Sequence, residues 1–286
     1  MDINRRIFFK TLGLAGVALA TDNRLGAEVP DENKIEFRGI LYDSTRCIGC
    51  RLCEAVCAEA HNLPVPTDEL VTGVLRKNTT DQRTVINKFA TSKGEIPVKK
   101  QCMHCNEPAC AAACLTQAMY KTMEGPVIWR EEKCMGCRYC MVSCPFDIPK
   151  FEYNSANPKI QKCDMCYDRI KEGKIPACAE ACGDALTFGT RRELIAEARK
   201  RIFENPNDYV DQIYGETVAG GTGYLYIGPV PFEELRMNTT LQNSSYPALT
   251  KGFLYSVPAV FVLLPSVLLG IHEATKKNQT KDDENE

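Results

Sequence analysis

Sixteen cysteines punctuate the 286-residue chain in four groups of four. The densest is Cys134-Met135-Gly136-Cys137-Arg138-Tyr139-Cys140-Met141-Val142-Ser143-Cys144-Pro145. Three thiolates at two-residue gaps can grip one iron–sulfur cluster corner by corner, and a fourth, three residues on and before a proline, reaches a different cluster. Such a run needs another motif to supply its missing ligand. Cys47-Ile48-Gly49-Cys50-Arg51-Leu52-Cys53, with Cys57, repeats it at Cys, Gly, Cys, Arg, Cys and Cys, six of eleven places, as an internal duplication would. The remaining groups are Cys102-Met103-His104-Cys105 with Cys110 and Cys114, and Cys163-Asp164-Met165-Cys166 with Cys178 and Cys182.

Sixteen thiols suffice for four [4Fe-4S] clusters, with every iron held by one cysteine and none left open to a substrate. Such clusters carry electrons, and close spacing keeps each tunnelling step short. No catalytic residue is expected. Zinc sites of four thiolates draw on two C-x2-C pairs a dozen or more residues apart. Only the fourth group comes near that form; the triplets Cys47/Cys50/Cys53 and Cys134/Cys137/Cys140 do not. A chain of this length has no need of disulfide staples. A zinc-knotted structural assembly protein and a self-sufficient reductase are the competing readings, the latter without a substrate-binding motif. With 35 Lys plus Arg against 37 Asp plus Glu and no long basic block, nucleic acid is not an expected partner.

Short elements must hold these thiols. Strand-like stretches at 37–42, 96–98, 118–123, 127–129, 186–189 and 224–227 flank the cysteine loops, as an α+β core requires. Residues 62–91 lack cysteine and periodicity and read as an insertion, and 167–177 reads as a charged loop. Thr190-Arg191-Arg192-Glu193 is a capping box for a helix to about Phe203, with Leu194, Ile195, Ala198 and Ile202 on one face. Residues 205–250 read as an irregular surface extension. His104 reads either as a donor to a cluster sulfur or as a solvent-facing loop residue. Met135, Met141 and Met165 read as packing around the clusters, and His272 as an interfacial residue.

The two ends concern the compartment. Arg5-Arg6 before Phe8-Phe9, then the short apolar run 12–20, make a signal peptide of the twin-arginine kind. Ala18-Leu19-Ala20 is the better cleavage site and Leu25-Gly26-Ala27 the weaker. Export of a folded, cofactor-loaded chain protects its thiols from disulfide formation in an oxidising space. Residues 253–272 contain no Asp, Glu, Lys or Arg and are long enough to span a membrane as a helix. Pro258 and Pro265 are tolerable there beside a neighbouring helix. Lys276, Lys277 and Lys281 follow, which places the tail in the cytoplasm and the body on the periplasmic side.

The four groups, in this order and with these gaps, resemble the four-cluster ferredoxin subunits of membrane-bound oxidoreductases, among them formate dehydrogenase beta subunits and dimethyl sulfoxide reductase electron-transfer subunits. Leu41-Tyr42-Asp43-Ser44-Thr45, Lys99-Lys100-Gln101-Cys102-Met103-His104-Cys105, Gly136-Cys137-Arg138-Tyr139-Cys140-Met141-Val142 and Phe188-Gly189-Thr190-Arg191-Arg192-Glu193-Leu194 are similar to the HybA-type subunits of periplasm-facing, quinone-linked [NiFe] hydrogenases. The resemblance implies a duplicated two-cluster bacterial ferredoxin-like core with insertions and one C-terminal transmembrane helix. It implies that the first group pairs with the fourth and the second with the third, each lending its last cysteine. The ligand sets are then Cys47, Cys50, Cys53 and Cys182; Cys163, Cys166, Cys178 and Cys57; Cys102, Cys105, Cys110 and Cys144; and Cys134, Cys137, Cys140 and Cys114. Implied partners are the small and large hydrogenase subunits and an integral membrane quinone-reactive or cytochrome subunit. A formate dehydrogenase, Hmc-type, or other molybdenum or sulfur-compound complex is the alternative.

The boundaries that follow are a leader at 1–27, a cluster domain at 36–190, a helix and irregular extension at 191–250, a span at 251–273 and a tail at 274–286. Within the cluster domain, 36–61 with 158–190 form an outer half and 95–157 an inner half. Only Cys144 is followed by proline; Ala58, Leu115 and Gly183 follow the other three closing cysteines, which implies altered packing or potential rather than a lost cluster.

Overall fold

Residues 36–283 are described by a computed structural model. The expected leader at 1–27 lies outside them. In chain order the elements are β1 (Arg38–Asp43), α1 (Leu52–Ala60), β2 (Val85–Thr91), β3 (Gly94–Lys100), α2 (Ala109–Ala112), β4 (Met119–Lys121), β5 (Val127–Trp129) and α3 (Tyr139–Val142). There follow β6 (Lys150–Phe151), β7 (Ile160–Gln161), α4 (Tyr167–Lys171), α5 (Ala177–Ala181), β8 (Leu186–Thr190), α6 (Arg191–Glu204), β9 (Tyr224–Ile227) and α7 (Tyr246–Asp283).

The apolar run Ile40-Leu41-Tyr42 makes β1 a strand buried on both faces, and it forms the centre of a three-stranded sheet. β8 pairs with it antiparallel and β9 parallel. Because side chains alternate across a strand, Ile40, Tyr42, Tyr224 and Tyr226 face a core that includes Cys53 and Cys178, while Leu41, Leu225 and Ile227 face α6. Gly39 is required where the two strands meet, since a Cβ there would stand 2.2 Å from the Gly223 carbonyl oxygen.

α6 forms as its sequence predicts. Thr190 and Glu193 make the reciprocal capping box, and Leu194, Ala198 and Ile202 are buried against the sheet. Its last turn is tied down by Arg201 and the neighbouring Tyr209, both of which donate to the fully buried Asp43 carboxylate (3.2 and 2.8 Å).

Three sequence expectations change here. The stretch 205–250 is not a surface extension: β9 lies in the central sheet with all four residues buried, a placement its four-residue length could not announce. The insertion 62–91 ends in β2, which pairs along its whole length with β3 to make a hairpin. The charged loop 167–177 contains the short helix α4. α7 runs through both Pro258 and Pro265, and its first 28 residues, Tyr246–Glu273, are long and apolar enough to cross a membrane.

Candidate metal centres

The cysteine loops share a backbone device. Gly49 and Gly136 both have φ near 73°, and Arg51 and Arg138 (φ 63° and 61°) are left-handed residues leading into α1 and α3. Left-handed steps curl such loops so that N–H groups converge on one side, a concavity suited to a negatively charged cluster. The helices then meet in pairs: α1, with Cys53 and Cys57, packs on α5, with Cys178, and α2, with Cys110, packs on α3, with Cys140.

All sixteen thiols are free of disulfides, and only Cys50 and Cys137 are exposed. Their neighbours cross motif boundaries. Cys57 lies with Cys178 and Cys166, and Cys163 lies with Cys57 and Cys178. Cys182 lies with Cys47 and Cys50, and Cys144 with Cys102, Cys105 and Cys110. Cys140 lies with Cys114, Cys134 and Cys137, and these four line one small cavity. Burial pushes Cys53, Cys57 and Cys105 up to about 12 and Cys140 and Cys166 up to about 11. Iron must therefore displace protons from these thiols when it binds.

Cys114 differs. α2 ends before it, so it leaves Cys110 through a turn rather than by helical spacing. Burial is the largest single influence and raises it, but the Met119 N–H donating to its sulfur (3.3 Å), the Thr116 hydroxyl and the Ala118 and Thr116 N–H groups together outweigh that and lower its pKa. His104 is fully buried, not solvent-facing. Its Nδ1 accepts the Val127 N–H at 2.9 Å, which puts the proton on Nε2, and Nε2 is buried without a partner. Burial, with Lys162, Lys121 and Lys99 nearby, holds the imidazole well below the usual histidine range, so it stays a neutral donor. Met165 is buried and Met141 packs against the inner core as expected, whereas Met135 is largely exposed at the rim of the cavity of Cys134 and Cys137.

Sequence reasoning missed His61. Its Nε2 stands 3.7 Å from Cys166 Sγ and 3.3 Å from Asp164 Oδ1, and Arg83 holds both Asp164 (2.7 Å) and His61 Nδ1 (3.1 Å). The available signal was position: His61 follows Cys57 by four residues, one helical turn along α1.

The 4Fe-4S dicluster domain family matches residues 96–191. A protein of Nitratidesulfovibrio vulgaris is 42% identical over 97% of this chain and 78% of its own. Hydrogenase-2 operon protein HybA of Escherichia coli O157:H7 is 33% identical over 86% of this chain and 85% of its own. This protein belongs to the HybA-type iron–sulfur family. The formate dehydrogenase-O iron-sulfur subunit of Escherichia coli K12 is 32% identical over 65% of this chain and 65% of its own. As a HybA-type protein the chain is an iron–sulfur electron-transfer subunit, and its residues fit that cofactor. Buried free thiols, N–H-lined loops and the orphaned His104 Nε2 all call for an anionic, sulfur-bearing occupant. When bound, [4Fe-4S] clusters supply one-electron couples.

Proposed function

We propose that this HybA-type protein relays electrons through four [4Fe-4S] clusters between an exported catalytic subunit and a membrane quinone-reactive subunit. The observation that carries this reading is that the closing cysteine of each group lies among the leading thiols of another. The outer clusters take Cys47, Cys50, Cys53 and Cys182, and Cys163, Cys166, Cys178 and Cys57. The inner clusters take Cys102, Cys105, Cys110 and Cys144, and Cys134, Cys137, Cys140 and Cys114. The matching left-handed residues at Gly49 and Gly136, and at Arg51 and Arg138, support a duplicated two-cluster core.

The two exposed thiols, Cys50 in an outer set and Cys137 in an inner set, give each half of the relay a station open to a partner. α7 touches α2, which carries Cys110, and this supports an inner half lying beside the anchoring helix. The catalytic partner is a [NiFe] hydrogenase, since the likeness to HybA extends over more of the chain than that to the formate dehydrogenase subunit. The body faces the periplasm behind a twin-arginine leader, and α7 spans the membrane.

Anaerobically purified protein is expected to contain about sixteen irons and as many sulfides, one iron per ligating cysteine. Zinc in their place overturns the reading. Affinity purification from membranes is expected to bring down hydrogenase subunits; a molybdenum enzyme instead would reassign the partner.

A further inference from the structure

Cations in this interior have two kinds of partner. Arg76 lies against Glu54 and Asp68, Arg201 against Asp43 and Glu197, and Arg83 against Asp164. Lys99 and Lys162, only 1% and 4% exposed, meet no carboxylate among the described residues. Lys99 Nζ donates to Thr84 Oγ1 (2.5 Å) and Gln101 Oε1 (3.1 Å) and stands 5.4 Å from the centre of the Tyr224 ring. Lys162 Nζ donates to the carbonyls of Val127 and, at 2.8 Å, Cys163. Neutral acceptors satisfy the N–H groups but do not cancel the charge, and a buried ammonium is strongly disfavoured without an anion nearby. Methionine would fill either site without that penalty.

Sulfur supplies anions in reach of both, and Lys162 also acts on Asp164, whose carboxylate Arg83 and His61 already hold. Lys99 leans on Tyr224, which shares a core with Cys53 and Cys178. Burial pulls its ammonium down, and the thiolates of Cys178, Cys53, Cys163 and Cys57 more than reverse this. Lys162 precedes Cys163 and hangs on Val127, which packs with Cys110 and Cys140 in the inner core. Its charge is felt at Cys110 and Cys144. Lys99 thus sits among ligands of both outer sets, and Lys162 where the outer and inner halves join.

We propose that Lys99 and Lys162 are fixed counter-cations of the relay, Lys99 raising the reduction potentials of both outer clusters and Lys162 those of the two clusters flanking the junction. The inference rests on the four ligand sets given above. Each electron taken up adds negative charge beside the ammonium, so the positive charge favours the reduced form. Loss of either lysine makes its stations harder to reduce and leaves the others alone, a pattern that a purely structural role would not produce.

The test is a redox titration of the full-length, cluster-loaded protein followed by electron paramagnetic resonance. In Lys99→Met, two of the four centres are expected to shift downward by at least tenfold in their reduced-to-oxidised ratio at fixed potential, ~59 mV for a one-electron couple. The other two stay in place, and Lys99→Arg restores the wild-type values. Lys162→Met is expected to move one outer and one inner centre, and it carries the test alone if Lys99→Met does not fold. Variants with full iron content and four unchanged midpoints, or with all four shifted equally, overturn the proposal. Wild-type iron content judges the four-cluster reading separately: a value well short of about sixteen sinks that reading whatever the lysines do.

Discussion

Arg51 and Arg138 occupy matching places in two cysteine loops of nearly the same backbone, yet their side chains go opposite ways. Arg51 reaches Glu54 (2.9 Å) and Asp68 (3.0 Å), and Arg76 closes the network onto the same two carboxylates at 2.6 Å each. Arg138 is exposed and lies over the rings of Phe151 and Tyr153, 5.4 and 5.6 Å from their centres. The helices differ too. α1 continues through Cys57 to Ala60 because Ala58 can donate its N–H, whereas α3 stops at Val142, short of Cys144-Pro145. One loop geometry is therefore braced twice, by a buried ion network wrapped by residues 62–84 in the outer half and by surface stacking in the inner half. The longer α1 also carries His61 to Cys166, a contact the shorter helix has no residue to make.

Variants of the closing cysteines test this comparison most severely. Cys57→Ser is expected to damage the centre of Cys163, Cys166 and Cys178 rather than that of Cys47, Cys50 and Cys53, and Cys144→Ser that of Cys102, Cys105 and Cys110. Each should cost about a quarter of the bound iron, read by iron analysis and electron paramagnetic resonance; loss from the cysteine's own triplet would break the crossed arrangement. Glu54→Ala leaves Arg51 and Arg76 facing each other without their buried carboxylate, and a loss of about 3–5 kcal/mol is expected in denaturant unfolding. Exchanging the prolines sharpens the helix difference: Ala58→Pro should cost about 3 kcal/mol by interrupting α1, while Pro145→Ala, beyond the end of α3, should change stability by well under that amount. The smallest effect is expected for Arg138→Ala, about 0.5–1 kcal/mol from its exposed stacking, measured by thermal unfolding of the loaded protein.

The strands 127–129 and 224–227, the capping box at Thr190 and the long apolar C-terminal helix were legible in the sequence, because each is set by residues adjacent in the chain. The place of 224–227 was not: pairing with β1 depends on contacts across more than half the described chain. Gly39 was the missed sign of it, a glycine inside an apolar strand that admits another backbone. Arg76 was invisible, and His61 marked only by its place one turn past Cys57, for a related reason. Both act on the cysteine groups through residues distant in the chain, and neither lies in a motif.

Residue types and their spacing are enough for the proposed ligand inventory: sixteen thiols, three of which in each of the first three groups lie within a few residues of a left-handed turn. Spacing along a short loop is a local property, and local backbone preferences suffice to settle it. Which thiols lie together was implied by the family resemblance and not by spacing, and which charges surround them emerged only from the folded core. Those relations arise from packing α1 on α5 and α2 on α3, and from burying Lys99 and Lys162 near cysteine sulfurs with no ion pair to a carboxylate among the described residues. Contacts between segments far apart in the chain come from closure of the whole core, and no single stretch encodes them.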